Sequence, residues 1–280
     1  MTDAHLSHCL DLLRQADPDR YLACLWLRRE WRGAVAALYA FNAEIARIPS
    51  LVSEQMPGEI RLQWWREVIE GKREAGDHPV AVELLRTIAK HNLPTLAFGT
   101  YLEARIFDLY HDPMPDQALF ETYAGETASA LLLLAAQCAQ VEQDTALADA
   151  CGNGGVVQTV IAVLRSLALH RRGKRCYVPK DMLAAAGLTV ETWFDEAPDE
   201  RHLDAIRALI GWGREHQVKS RAAIAKLDVD LRPVFLPLAP IEAMLDKAER
   251  IGLDLFDRPP DISPLRRQWV IGKAALSRGP

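Results

Sequence analysis

Apolar residues recur along most of the chain with the spacing of an α-helix. In one stretch, Val35, Leu38 and Tyr39 lie three or four positions apart and so share one helical face. No Asn-Gly or Asp-Gly hairpin turn lies between alternating apolar runs, so strand signals are nearly absent. The pattern predicts an all-α protein with helices over residues 31–48, 58–70, 78–91, 94–110, 116–140, 145–170, 199–226, 239–252 and 263–276.

Proline and glycine mark the breaks between the predicted helices. Asp77-His78-Pro79 begins one helix, residues 111–115 separate two others, and residues 257–264 form a proline-rich loop. No internal repeat and no long linker divides the chain. We therefore expect one domain over residues 1–280, built as a single bundle of roughly ten helices.

Two of the predicted helices are apolar on almost every side. They cover residues 122–139 and 154–168 and are rich in Ala, Val and Leu. Helices of this kind belong in the interior of a bundle, and their small side chains leave room for a central cavity. Cavities between bundle helices are common ligand sites.

Composition and charge restrict the classes of function. The net charge is -5, which argues against nucleic-acid binding, since nucleic-acid binders usually carry a basic surplus. The five cysteines form no C-x-x-C pair and are typical of reduced thiols in a cytosol-like compartment. The N-terminus resembles neither a signal peptide nor an Arg-rich transit peptide, and no apolar run reaches the ~20 residues of a membrane span. We expect a cytoplasmic protein, or one peripheral on the inner membrane face.

Three segments carry a recognisable pattern. Residues 37–41 read ALYAF, residues 62–67 read LQWWRE, and residues 165–179 read RSLALHRRGKRCYVP. In order and spacing they resemble motifs of the squalene/phytoene synthase family, over about residues 20–275. The resemblance implies a helical bundle of the isoprenoid synthase type. In that family two aspartate-rich motifs face each other across a central cavity and hold the Mg²⁺ ions that bind prenyl diphosphates.

The resemblance places the family's motif ligands, which are acidic residues and one Asn, at positions that carry none of them here. We call these the seven degenerate positions: Ala46, Arg47, Ser50, Ala162, Ser166, Leu169 and His170. Pro49 is expected to interrupt the helix of the first motif, and Leu169 is bulky enough to fill part of the cavity. Asp108 matches a family Asp on another helix, but one Asp cannot replace two clusters. We therefore predict no metal site and no cofactor.

Further segments resemble one branch of this family. They are residues 41–45, 78–84, 123–127 and 254–256, which include Phe41-Asn42 and Tyr123-Ala124. That branch lacks the acidic motifs and is implicated in assembling mitochondrial respiratory complex I. The resemblance implies a non-catalytic protein that acts in complex I assembly, with complex I subunits as partners.

Basic residues gather near the second degenerate motif. A helix end favours cations because of its dipole, which is the ordinary explanation. Arg165 and Arg175 also coincide with family positions near the diphosphates, so the charge of the site is expected to be inverted. Our hypothesis is an anion site that needs no Mg²⁺, formed by Arg47, Arg165, His170, Arg171, Arg175 and Tyr177.

Two other features have ordinary explanations. Residues 195–200 mimic an aspartate-rich box, but Pro198 disfavours a helical turn there, and we expect a loop in which Asp199 caps the next helix. Trp26, Leu27 and Trp31 are compatible with a membrane-facing edge, although packing in the core is the favoured interpretation.

Two alternatives to the assembly role remain open at this stage. One is a Mg²⁺-dependent prenyl-diphosphate transferase with rearranged metal ligands, which requires a compact pair of carboxylates facing the cavity. The other is a carrier of an isoprenoid or lipid, which requires an open cavity but no catalysis. Diphosphate release from prenyl diphosphates distinguishes the first alternative from the rest.

Overall fold

The computed structural model describes residues 4–139, 144–277 and 279–280 and contains only helices and loops there. The α-helices are α1 (Ala4–Ala16), α2 (Pro18–Trp26), α3 (Arg29–Leu51), α4 (Gln55–Ile69), α5 (Pro79–His91), α6 (Thr95–Ala104), α7 (Gln117–Ala124), α8 (Ala130–Gln137), α9 (Thr145–Arg165), α10 (Leu167–Arg172), α11 (Lys180–Ala185), α12 (Val190–Asp195), α13 (Glu200–Ile224), α14 (Ile241–Ile251) and α15 (Pro264–Leu276). The all-α prediction is confirmed. Short 3₁₀-helices cover Arg105–Leu109, Arg232–Leu238 and Gly252–Phe256, and a π-helical turn covers Gly125–Ser129.

Several predicted helices are divided in the structure. The predicted helix 145–170 breaks at Ser166, whose backbone leaves the helical region, so that α9 and α10 are separate. The predicted helix 116–140 changes from α to π geometry at Gly125–Ser129. Helices α1, α2, α11 and α12 were not predicted. For α11 and α12, six residues each are too few to show a helical period.

Helix α9 lies at the centre of the bundle, against α13. Most of its residues from Gly154 to Leu164 are buried. Gly155 permits a close approach to the π-helical turn, because a Cβ there would lie 2.0 Å from Oγ of Ser129 and 2.4 Å from its backbone nitrogen. The predicted interior position of this helix agrees with its burial.

One helix in the described part of the chain is long and apolar enough to cross a membrane. It is α9, and 67% of its most apolar stretch is buried inside the bundle. That burial is typical of the core helix of a globular protein.

Pro49 does not interrupt α3, contrary to the expectation from sequence. The helix continues to Leu51, and Val52 is the first extended residue. Pro49 lacks a backbone N–H, so α3 lacks one hydrogen bond near its C-terminal end, but the residues that follow Pro49 still have helical geometry. Asp199 lies where it was predicted: its carboxylate caps α13 by accepting from the backbone N–H groups of Arg201 and His202.

Candidate functional site

Two adjoining cavities open between α3, α9 and α10. Their volumes are about 550 Å³ and about 480 Å³, and both are lined by Ala46, Arg105, Tyr123 and Ala162. Volumes of this size fall within the range of ligand pockets. The central cavity that the sequence predicted is therefore present.

All seven degenerate positions line these cavities. Ala46 and Ala162 are exposed, although their helices are otherwise mostly buried, because they face the empty space. Leu169 does not fill the cavity, since the residue is 66% exposed where it lines the wall. The positions of the first motif lie on α3 and those of the second motif on α9, on α10 and at the break between them, and both sets line the cavity walls.

The side chains at these positions do not fit Mg²⁺. That ion takes hard oxygen ligands, principally carboxylates, and retains several waters. Among residues 4–139, 144–277 and 279–280, no group of three or more His, Cys, Asp and Glu side chains is arranged to hold a metal ion. No step that depends on a bound metal can be assigned to this site.

The one carboxylate that matches the family, Asp108, is held in a buried network. Its oxygens accept hydrogen bonds from Arg105 Nη1 (3.1 Å), the hydroxyl of Tyr123 (2.9 Å) and the hydroxyl of Tyr177 (2.7 Å). Burial raises the pKa of Tyr177 and of Tyr123, and the negative charge of Asp108 raises both further. Both phenols therefore stay protonated and donate to Asp108, whose lone pairs are occupied by this chain.

The opposite end of that network reaches α3 and α6. Arg105 donates to Oδ1 of Asn42 (3.2 Å) and to the hydroxyl of Tyr101 (3.2 Å), and Tyr101 donates to the same Asn42 oxygen (2.8 Å). The network thus joins α3, α6 and the 3₁₀-helix beside the cavity. A charge pair that is fully hydrogen-bonded in this way fixes its surroundings without requiring a ligand.

A second ionic cluster closes the larger cavity. Asp19 accepts from Arg267 Nε at 2.6 Å, and Arg165 lies 3.5 Å from Asp19 and 2.9 Å from Asp261. Burial raises the pKa of Asp19, although the positive charge of Arg267 opposes that shift. Arg165 lines the cavity as predicted, but its guanidinium is already paired with carboxylates of this chain.

The other predicted anion-binding residues fall into two groups. Arg47 lines the larger cavity and pairs with Glu44 at 2.9 Å, whereas Arg175 lines the smaller one and has no ion pair within the described parts of the chain. Arg171 is not part of the cavity wall. It donates to the backbone oxygens of Trp193 and Glu196 and lies over the ring of Phe256.

His170 and Tyr177 lie together at the wall of the smaller cavity, with their ring centroids 4.6 Å apart. The pKa of His170 is lowered to about 4, chiefly by burial; the negative charge of Asp108 opposes this shift and the positive charge of Arg175 contributes to it. His170 is therefore neutral near pH 7 and cannot supply the positive charge that the sequence suggested. The hydroxyl of Tyr177 already donates to Asp108.

The cavity walls carry nearly balanced charge. Their arginines are Arg20, Arg47, Arg105, Arg165 and Arg175, and their aspartates are Asp17, Asp19, Asp108 and Asp261. The walls therefore lack the acidic surplus of the family. The predicted inversion of charge is small, because five arginines against four aspartates leave one net positive charge. Among the arginines, Arg175 is the one without an acidic partner in the described residues.

Sequence reasoning missed several residues of the wall. Arg20 bridges Asp17 (2.7 Å) and Gln158 (3.2 Å) and lies over the ring of Tyr39. No motif marked Arg20, although its spacing of three residues from Asp17 suits a helical ion pair, and its contact with Gln158 joins segments 138 residues apart. Arg105 had a weak signal, since its spacing of three residues from Asp108 suits a helical ion pair.

Comparisons with known proteins give a consistent result. A family model described as squalene/phytoene synthase matches residues 13–266. The chain is similar to "NADH dehydrogenase (ubiquinone) complex I, assembly factor 6" of Rattus norvegicus, with 29% identity over 91% of this chain and 76% of that protein. The protein of the same name from Homo sapiens is 29% identical over 89% of this chain and 75% of its own length.

Solved structures show the same bundle. A squalene synthase from Alicyclobacillus acidocaldarius has a TM-score of 0.74 at 18% identity, over 89% of this chain and 94% of that one. A dehydrosqualene synthase in complex with a ligand has a TM-score of 0.79 at 16% identity, over 98% and 95%. These likenesses confirm the isoprenoid synthase fold. With the family model matching most of its length, the chain belongs to the squalene/phytoene synthase family.

Proposed function

We propose that this protein acts, without catalysing prenyl transfer, in the assembly of respiratory complex I, with complex I subunits as its partners. Relatives that cover most of the chain carry the name of a complex I assembly factor. Its site of action would be peripheral, on the inner face of the membrane that holds the complex.

The observation that carries this proposal is the composition of the cavity wall. The seven degenerate positions face the cavity with alanine, serine, leucine, histidine and arginine side chains. A prenyl-diphosphate transferase of this fold needs carboxylates there, because Mg²⁺ must bridge protein and diphosphate oxygens. A rearranged ligand set would need a compact carboxylate pair at the wall, and Asp108 is already hydrogen-bonded to Arg105, Tyr123 and Tyr177.

Deletion of the gene tests the assembly role. Native gel electrophoresis of membranes should then show less fully assembled complex I and an accumulation of its subassemblies. Expression of the intact chain should restore the complex. A respiratory complex that does not include complex I subunits serves as the internal control, and its amount should not change. An unaltered amount of complex I in the deletion would refute the role.

The open cavity supports a second candidate function, which is ligand binding. We propose that the cavity binds an anionic molecule with an apolar tail, such as a prenyl diphosphate or a lipid, directly and without Mg²⁺. Three of the seven degenerate positions place apolar side chains at the cavity walls, namely Ala46, Ala162 and Leu169. Arg175 offers a guanidinium without an acidic partner among the described residues. A hydrogen bond from an arginine to a phosphate is among the stronger polar contacts in proteins.

Calorimetric titration with farnesyl diphosphate in the presence of EDTA tests this second function. Arg175→Ala should weaken binding by about tenfold, because one charge-assisted hydrogen bond is lost. Arg172→Ala is the matched control, since Arg172 is exposed and lies outside both cavities. Arg165 is less suitable as a probe, because its removal also breaks its ion pairs with Asp19 and Asp261 and leaves Arg267 as their remaining partner. Binding that requires Mg²⁺, or that Arg175→Ala leaves unchanged, would contradict the proposal.

A further inference from the structure

The last helix, α15, exposes apolar side chains on the face that normally carries polar ones. Its buried residues are Arg267, Ile271 and Ala274, which face the bundle. On the other side, Leu265 is 79% exposed, Trp269 is 72% exposed and Leu276 is 77% exposed. These three occur at i, i+4 and i+11 and therefore lie on one face. We call this face, with Gly272 at i+7, the α15 stripe.

Trp26 at the end of α2 extends the α15 stripe. A Cβ built on Gly272 would lie 3.6 Å from Cζ2 of Trp26, so the indole lies directly over the glycine. The indole is 47% exposed. The favoured sequence interpretation, packing in the core, therefore holds for Leu27, which is buried, but not for Trp26. Two tryptophans and two leucines form one apolar patch, and contiguous exposed patches mark interaction surfaces.

The charges around the patch favour an anionic partner. Helix α15 contains three basic residues and no acidic one, in a chain whose net charge is -5. Arg266 and Lys273 are exposed, lie on the flank of the α15 stripe and have no ion pair within the described residues. Arg29 and Glu30, just beyond Trp26, are both exposed and balance each other, and Arg28 pairs with Asp230, so the basic surplus comes from Arg266 and Lys273.

We infer that the α15 stripe and Trp26 dock the protein on an anionic lipid bilayer. Tryptophan is favoured at the boundary between headgroups and acyl chains, because its ring is apolar and its N–H is polar. Leu265 and Leu276 would enter the acyl region while Arg266 and Lys273 contact the headgroup phosphates. This is the arrangement of an interfacial helix, whose affinity grows with buried apolar area and with attraction to anionic lipids.

The buried face of the same helix connects this surface to the cavity. Arg267 pairs with Asp19 and lies 3.6 Å from Asp261, and both aspartates line the larger cavity. The docking surface thus lies on one side of α15, and the side chain that contacts two aspartates of the cavity wall lies on the other. Docking would hold the larger cavity close to the membrane. Membrane docking of this kind does not depend on a role in complex I assembly.

Flotation of the purified full chain with lipid vesicles tests the proposal. The chain should float with phosphatidylcholine vesicles that contain phosphatidylglycerol, and less with phosphatidylcholine alone. The double substitution Leu265→Ser with Trp269→Ser should lower the partition coefficient by about tenfold or more, because two membrane-inserting side chains are lost. Arg266→Gln with Lys273→Gln should remove most of the preference for the anionic vesicles.

A matched control comes from exposed apolar residues elsewhere. Leu96 is 80% exposed and Ile60 is 63% exposed, so Leu96→Ser with Ile60→Ser should float like the original chain. All variants change exposed residues and should keep the original circular dichroism spectrum and melting temperature. Equal flotation of the α15 variant and the control would overturn the proposal. The proposal would also be overturned if neither chain floated and light scattering showed that the original chain is a dimer but the α15 variant is not.

Discussion

At the scale of single residues, His170 illustrates how the cavity has changed its chemistry. It occupies a position where the family carries a metal-binding aspartate, yet burial lowers the pKa of this histidine to about 4. A group whose pKa is lower in the folded than in the unfolded protein makes the free energy of unfolding depend on pH. The unfolded chain binds this proton from about pH 6.5 downwards, and the folded protein does so only near pH 4. Stability from His170 is therefore complete above pH 6.5 and is lost as pH falls towards 4.

We predict that His170→Gln flattens the acid side of the stability profile. Between pH 7 and about pH 4.5, the original chain should lose about 2 kcal/mol more free energy of unfolding than the variant. Urea unfolding at several pH values measures this difference. His111→Gln is the control, because His111 lines the same cavity but is exposed. Parallel profiles for the original chain and His170→Gln would show that His170 is not buried in this way.

The residue scale also shows which kind of sequence evidence locates a site. Arg165, Arg175 and Tyr177 were selected because they match spaced motif positions, and all three line the cavities. Arg171 was selected because it is basic and lies in a basic run, and it contacts backbone oxygens elsewhere. The positive charge of a residue does not determine which side of the helix its side chain points to. The ion pairs that neutralise Arg165 could not be predicted, because Asp19 lies 146 residues away in sequence.

At the scale of elements, close packing of α9 against the π-helical turn keeps the cavity walls in place. Thr127 of that turn and Thr159 of α9 both line the larger cavity. Gly155 lies where the two elements touch, and a side chain there meets Ser129. π-Helical turns often occur at functional sites, and this one was not visible in the sequence, since its apolar pattern is that of a helix throughout.

We predict that Gly155→Ala lowers the free energy of unfolding by about 3 kcal/mol, because the backbone of Ser129 cannot yield as a side chain would. Gly152→Ala on the same helix is the control. Nothing lies within 4 Å of a Cβ at Gly152, so alanine should raise stability by about 0.5–1 kcal/mol through helix propensity. Thermal or chemical unfolding measures both. Equal effects of the two substitutions would contradict the close approach.

Element boundaries were predicted best in the middle of the chain. Helices α3, α5 and α13 were predicted within a few residues, whereas α1, which has as many residues as α5, was missed. The break at Ser166 was missed because no proline or glycine marks it. Pro49 was expected to interrupt α3, but only Ser50 and Leu51 follow it in the helix, so it lies close to the natural end of the element.

At the scale of the whole molecule, the bundle retains the architecture of a prenyl synthase while its cavity lacks the ligands for Mg²⁺. Fold alone does not establish activity, so the argument depends on the side chains at the seven degenerate positions. Internal Arg–Asp pairs, such as Arg105 with Asp108, stabilise the cavity walls without metal. The exposed α15 stripe adds a surface suited to a membrane. Together these features favour a protein that binds and positions other molecules.

Diphosphate release from farnesyl and geranylgeranyl diphosphate, measured with and without Mg²⁺ on folded protein, tests this account most directly. A squalene synthase of the same family serves as the positive control in the same assay. We predict no release above the rate without protein, at any Mg²⁺ concentration at which the control is active. Mg²⁺-dependent release by this chain would contradict the account and would require carboxylate ligands that the described cavity wall does not bring together.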